Sequence, residues 1–279
     1  MAIELFFHFE RDAMAPHLSL AAADLNIRFI AAAAVVREAG KLSLNYFHRR
    51  TEIAIESKGL QDLVSSADRA TEDLIVRELS RLFPDDGFLG EEGGHRGGEG
   101  ALWVIDPIDG TANFLRGIPF WCISLALVIN NEAVIGVIYD PNADELFTAR
   151  HGKGAFRNGQ KMKVSGRTDP KQARMSLGFS YRADPKFHVS GISKFLNAGI
   201  EYSRLASGAL SMAYVADGRF DGYWEKHINS WDVLAGLVLV QEAGGWISDF
   251  LANDGLTKGN EILAATPALA EFFSKTLSS

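Results

Sequence analysis

Apolar and polar positions follow two different arrangements along the chain, and the change near residue 160 predicts two differently built parts. An Ala-rich stretch over 18–48 predicts a helix, long enough that a kink or break is expected inside it. A second helix is better marked, because Ser65 and Asp68 have the spacing of a capping box and Ala70, Leu74, Ile75, Leu79, Leu82 and Phe83 keep helical periodicity. Short apolar runs at 102–105, 123–129 and 133–139 predict strands. The last two are joined by Asn130-Asn131, and another hairpin turns at Asn158-Gly159. This part reads as an antiparallel sheet with helices. Strand and helix patterns then alternate: strands near 175–179 and 220–224, helices near 184–198 and 208–216, and further helices from Ser230 and Pro267. Thr266 before Pro267 is a good helix start, with threonine as the cap and proline in the first helical position.

No internal repeat or low-complexity linker interrupts the pattern, so a boundary near 155–165 divides one compact body of the α/β (α+β) class. We divide it into an α+β part at 16–160 and an α/β part at 161–279. Residues 1–15 are an N-terminal extension or an upstream start ahead of Met14, with no function assigned.

Composition narrows the function classes. A chain of 279 residues with 47% hydrophobic content can bury a large core. The net charge of −7 offers no basic patch, so nucleic acid is not the expected partner. Cys122 is the only cysteine, which excludes an intramolecular disulfide and suits a reducing cytoplasm; it reads as a buried thiol. No apolar run approaches a membrane span, and the start lacks the basic region of a signal peptide.

The chemistry concentrates in Trp-Val-Ile-Asp-Pro-Ile-Asp-Gly-Thr-Ala-Asn-Phe at 103–114. An apolar strand ends by placing Asp106 and Asp109 around a proline, and two such charges resist joint ionisation at close range unless a cation neutralises them. Gly110 and Thr111 follow, so unobstructed backbone N–H groups could face a phosphate drawn by that cation. The plain alternative is an ordinary turn built from Asp, Pro and Gly. Two further element ends carry acid: Glu91 and Glu92 in Phe-Leu-Gly-Glu-Glu-Gly-Gly, and Asp232 in Ser-Trp-Asp-Val-Leu-Ala-Gly. Oxygen-only donors of this kind suit Mg²⁺ or Mn²⁺ and not zinc.

These segments, with Asp-Leu-Val-Ser-Ser-Ala-Asp at 62–68, Gly-Lys-Gly-Ala-Phe-Arg-Asn-Gly at 152–159 and Glu-Ala-Gly-Gly at 242–245, resemble in order the signatures of the inositol monophosphatase family of Mg²⁺-dependent, lithium-sensitive sugar phosphatases. The resemblance implies a five-layered α-β-α-β-α sandwich, commonly assembled as a homodimer. It implies metal ligation of two or three Mg²⁺ ions, with Mn²⁺ as a substitute, by Glu91, Asp106, Asp109 and Asp232 and the carbonyl of Ile108. Thr111 would orient the attacking water, Asp68 would act through water or through that threonine, and substrate contacts fall to Asp109, Gly110, Thr111, Ala209 and Glu225.

Several of these residues have a structural reading as well. The capping box accounts fully for Asp68, and an acid in a helix's first turn accounts for Asp232 through the helix dipole. Glu92 is set aside in favour of Glu91, since side chains alternate on a strand. Glu225 is expected at the cavity mouth; otherwise it is a surface acid paired with Lys226 or Arg219. The seven histidines show no metal spacing, and His227 is expected near substrate. The apolar run at 114–121 is core or dimer interface. The expected activity is hydrolysis of a small hydroxylated phosphate monoester, inositol 1-phosphate first. Histidinol phosphate and fructose 1,6-bisphosphate are the alternatives, and a regulatory binding protein on the same scaffold is the alternative of another class.

Overall fold

The computed structural model describes residues 22–52, 55–59, 62–98 and 101–278, with backbone alone at 52, 55–59 and 62–64. Helix α1 (Ala22–His48) precedes a hairpin of β1 (Ile55–Gly59) and β2 (Asp62–Ser65), then α2 (Ser66–Leu82). The next strands are β3 (Gly87–Gly90), β4 (Gly94–Arg96), β5 (Leu102–Asp109), β6 (Cys122–Ile129), β7 (Glu132–Asp140), β8 (Glu145–Arg150), β9 (Ala155–Arg157) and β10 (Gln160–Lys161). A short helix, α3 (Thr111–Arg116), lies between β5 and β6. The chain continues with β11 (Arg174–Leu177), α4 (Pro185–Asn197), β12 (Glu201–Ser203), α5 (Gly208–Ala216) and β13 (Gly222–Ile228). It closes with α6 (Ser230–Glu242), β14 (Trp246–Ile247), α7 (Gly255–Lys258), β15 (Asn260–Ala265) and α8 (Pro267–Ser278).

Two mixed sheets alternate with three helical layers. The larger has strand order β10-β9-β8-β7-β6-β5-β3-β4, the smaller β12-β11-β13-β15-β14. Helices α1 and α2 cover the outer face of the larger sheet, α5 and α6 lie between the sheets, and α4 and α8 cover the smaller one. This is the expected α-β-α-β-α sandwich.

The layering explains why β6 shows no polar alternation. Ile123, Leu125, Leu127 and Ile129 pack under the outer helices, while Cys122, Ala126 and Val128 face the inner ones. A strand buried on both faces is apolar except where a polar side chain finds a partner, as the Ser124 hydroxyl does in the Trp231 carbonyl at 3.1 Å. Gly136 lets α6 approach the same sheet, since a Cβ there would fall on the carbonyl of Ala235. The outer layer is tied down by a bidentate pair: Arg28 donates to both carboxylate oxygens of Asp86 at 2.9 and 2.8 Å, and Trp103 Nε1 donates to the same buried acid at 3.0 Å.

Three sequence expectations need correction. Helix α1 is unbroken from Ala22 to His48, because Ala32, Val35, Val36, Ala39 and Phe47 keep one stripe against the sheet and Gly40 packs beneath Tyr139. The expected helix start at 18, and the 1–15 extension, lie outside the described residues. The larger sheet is not wholly antiparallel, since β3 runs parallel to β5. The chain steps outward from β3 to β4 and returns on the other side of β3, which restores the original direction. The smaller sheet contains β15, which was not marked as a strand. Both two-residue hairpins form as expected, with left-handed φ at Asn130 (51°), Asn131 (62°), Asn158 (47°) and Gly159 (78°).

Candidate active site and metal centre

Residues three apart on a regular strand point to opposite faces, so Asp106 and Asp109 would be separated by the sheet itself. The pairing of β5 with β6 prevents this. Asp106 stands opposite Ser124 and Asp109 opposite Cys122, so the register slips between them. The bulge holds Pro107 and Ile108, where a missing N–H breaks no ladder bond. Asp106 secures the bend by accepting the Ile108 amide at 3.0 Å.

The helices between the sheets complete the arrangement from the other side. Ser207 caps α5, and Asp109 accepts the Ser207 hydroxyl at 2.5 Å and the amides of Ala209 and Gly208 at 2.7 and 3.2 Å. Asp232 lies in the first turn of α6 and accepts the Asn229 amide at 3.1 Å. Both helices therefore aim their positive ends at the acidic cluster. Oxygens of Asp106, Asp109 and Asp232 all lie within 4.8 Å of one another.

These carboxyls are driven towards protonation. Burial raises Asp106 well above the usual carboxylate range, reinforced by Glu91, Asp109, Asp232 and Asp68. Burial also raises Asp109, against the hydrogen bonds from α5. Asp232 is raised to about 7, by burial and then by the charge of Asp109. A buried oxygen cluster with raised affinity for positive charge fits a hard divalent cation, with Glu91 facing the same cavity.

The cavity has a volume of 810 Å³. Its floor carries the acids, with Gly110 and Thr111 beside them, and its walls carry Phe179, Tyr181, Glu225 and the arginines 116, 182 and 204. Thr111 Oγ1 lies 3.2 Å from Asp68 Oδ1 and 3.0 Å from the Ile108 carbonyl. The other oxygen of Asp68 accepts the Ser65 amide at 2.9 Å. The capping role and the link to Thr111 therefore coexist.

Comparison with known proteins agrees with this geometry. The model of the inositol monophosphatase family matches residues 25–279. The chain is 43% identical over 220 residues to the Nus factor SuhB of Xylella fastidiosa, covering 78% of this chain and 80% of that one. It is 40% identical over 252 residues to the inositol-1-monophosphatase of Mesorhizobium japonicum, covering 86% and 94%. The crystal structure of the extragenic suppressor protein suhB from Bartonella henselae superposes with a TM-score of 0.86 at 35% identity, covering 91% and 99%. The chain belongs to the inositol monophosphatase family.

Its inositol monophosphatase relatives divide between proteins named as the phosphatase and proteins named as a Nus factor. Within this family member, most residues singled out from sequence meet in one cavity: Glu91, Asp106, Ile108, Asp109, Gly110, Thr111, Glu225 and Asp232 all line it. Asp68 adjoins it through Thr111. Ala209 is fully buried and contributes its amide to Asp109, while Ser207 and Gly208 present the same turn to the cavity.

Glu225 is not at an exposed mouth. It is 6% exposed in the cavity wall, accepts the Tyr223 hydroxyl at 2.7 Å, and is raised to about 8 chiefly by burial. Lys226 pairs with Glu261 instead, and Arg219 with Glu145 and Asp217. His227 contacts the Lys258 carbonyl at 3.0 Å and does not line the cavity. In the run at 114–121, Phe114 and Trp121 are core, packed with Phe47, and Ile118 is exposed. Cys122 is buried with its thiol 3.7 Å from Asp109.

Sequence reading missed three supports of the site. Ser207 bridges α5 to Asp109. Asn113 Nδ2 donates to the carbonyls of Phe120 and Leu205 at 2.8 and 2.9 Å, tying the two sides of the cavity. Glu72 lies four residues after Asp68 on α2, a spacing that puts both acids on one helix face and could have been read as a pair.

Proposed function

We propose that the protein hydrolyses small hydroxylated phosphate monoesters, inositol 1-phosphate foremost, as a cytoplasmic homodimer. The buried convergence of Asp106, Asp109 and Asp232 carries this reading. Glu91, these three aspartates and the Ile108 carbonyl would hold Mg²⁺, or Mn²⁺ in its place. Bound there, the ions supply charge neutralisation for the phosphoryl group and acidify water.

The chain's own residues do the positioning. Asp68 accepts a hydrogen bond from the Thr111 hydroxyl, which leaves the threonine lone pairs to receive a hydrogen bond from the attacking water and aim it. Gly110 and Thr111 border the acids where phosphate oxygens would lie. Glu225, already fixed by Tyr223, presents its other oxygen to a substrate hydroxyl. A second role in transcription is supported by the Nus factor SuhB relatives. An intact acidic set is compatible with both roles.

The test is a panel of inositol 1-phosphate, histidinol phosphate, fructose 1,6-bisphosphate and p-nitrophenyl phosphate with purified protein. Inositol 1-phosphate should give the highest kcat/KM in Mg²⁺ and no turnover in chelator, and Asp109→Asn should lose about a hundredfold or more. Turnover that survives chelation would remove the metal reading. A different best substrate would replace inositol 1-phosphate while keeping the reaction class.

A further inference from the structure

Glu72 is a buried carboxylate on α2 with 2% exposure. Its two oxygens accept consecutive backbone amides of the turn after β3, from Glu92 at 2.9 Å and from Gly93 at 2.7 Å. That turn carries Glu91, whose own amide is held by the Ile105 carbonyl of β5 at 3.2 Å. Glu91 is thus gripped between the strand that bears Asp106 and a helix that also bears Asp68.

The glycines on either side show how closely the grip is made. A Cβ at Gly90 would fall on the Glu72 carboxylate, and one at Gly93 would fall on the Arg96 guanidinium and lie 2.5 Å from Glu72 Oε1. Neither position can carry a side chain while Glu72 keeps its place. Burial raises this carboxyl, and the two amides oppose that rise, joined by the Arg96 guanidinium 3.9 Å from Oε1. A buried acid whose oxygens both serve one turn is costly unless that turn must be held.

We propose that Glu72 is a positioning residue for the metal centre: by clamping the amides of Glu92 and Gly93 it fixes the turn that presents Glu91. This rests on the metal-centre reading above. Glu72 does not touch the cavity and ligates nothing. It removes alternative backbone conformations of the turn, so that Glu91 is aimed before any cation arrives.

The test is the Mg²⁺ dissociation constant of the full chain by calorimetry. Glu72→Gln preserves shape but turns an NH₂ group towards a backbone N–H, and the constant should rise by about 10- to 100-fold with the metal-free circular dichroism spectrum retained. Gly90→Ala leaves Glu72 intact and displaces its carboxylate from the turn, so the same weakening is expected by an independent route. In a Glu91→Gln background, Glu72→Gln should cost less than about twofold more, because its effect passes through Glu91. Wild-type affinity in both single variants, or an undiminished loss in the Glu91→Gln background, would overturn the proposal. A flat titration of the wild type would overturn the metal reading and, with it, the proposal.

Discussion

Replacing Glu225 by glutamine separates substrate recognition from metal chemistry. The amide is isosteric and its oxygen can still accept the Tyr223 hydroxyl, so packing in the cavity wall is preserved. Assayed above pH 8, where the buried carboxyl has released its proton, what disappears is one negative charge facing the substrate. A hydrogen bond to a charged group contributes about 1.5–3 kcal/mol, so kcat/KM for inositol 1-phosphate should fall by about 10- to 100-fold. For p-nitrophenyl phosphate, which has no hydroxyl to hold, the loss should stay within about threefold.

Stability supplies a second readout. Glu225 is raised from 4.5 to about 8 in the fold, so between those values the folded state keeps a proton that the unfolded chain has lost. Its contribution is therefore fully present below the unfolded pKa and is lost as pH rises through 8. The ceiling is about 5 kcal/mol, at roughly 1.4 kcal/mol per pH unit. Above pH 8, metal-free Glu225→Gln should melt several degrees higher than metal-free wild type, with a flatter dependence on pH. Equal losses on both substrates would place Glu225 among the metal ligands, and no loss on either would remove it from the site. A variant that melts no higher than wild type above pH 8 would refute the burial argument.

Ala206 adopts a left-handed conformation with φ of 58°, between Leu205, whose carbonyl accepts Asn113, and the Ser207 cap. That conformation costs a non-glycine residue about 1 kcal/mol, so Ala206→Gly should be neutral to about 1 kcal/mol stabilising in urea denaturation, where an unstrained site would lose about that amount. A clear loss of stability would show that the backbone is not strained there. Membership of a lithium-sensitive family leads us to expect inhibition by LiCl at concentrations where KCl has no effect; superimposable curves for the two salts would contradict it.

Much of the site was legible in the chain itself. Asp106, Asp109 and Glu91 stand out as acids closing apolar runs and Asp232 as an acid opening one, and no local reason suffices for all of them. Local rules also carry the hairpins at Asn130-Asn131 and Asn158-Gly159, where short polar side chains tolerate positive φ, and the cap at Ser65. They fail wherever a residue's partner is remote. The straightness of α1 depends on an unbroken bed of sheet residues beneath it, and the parallel pairing of β3 with β5 on the return past β4.

The face onto which Asp106 and Asp109 point was likewise decided by register, since only pairing with β6 creates the bulge at Pro107 and Ile108. Ser207 reaches Asp109 across 98 positions, and Glu72 reaches the Glu91 turn across 20. Glu225 was expected at the cavity mouth and does line the cavity, but only burial beside Tyr223 set its environment and its raised pKa. Residue type and spacing determine which groups are available for chemistry. Strand register and helix placement determine which groups meet, because a charge's energy depends on what surrounds it and not on its neighbours in sequence.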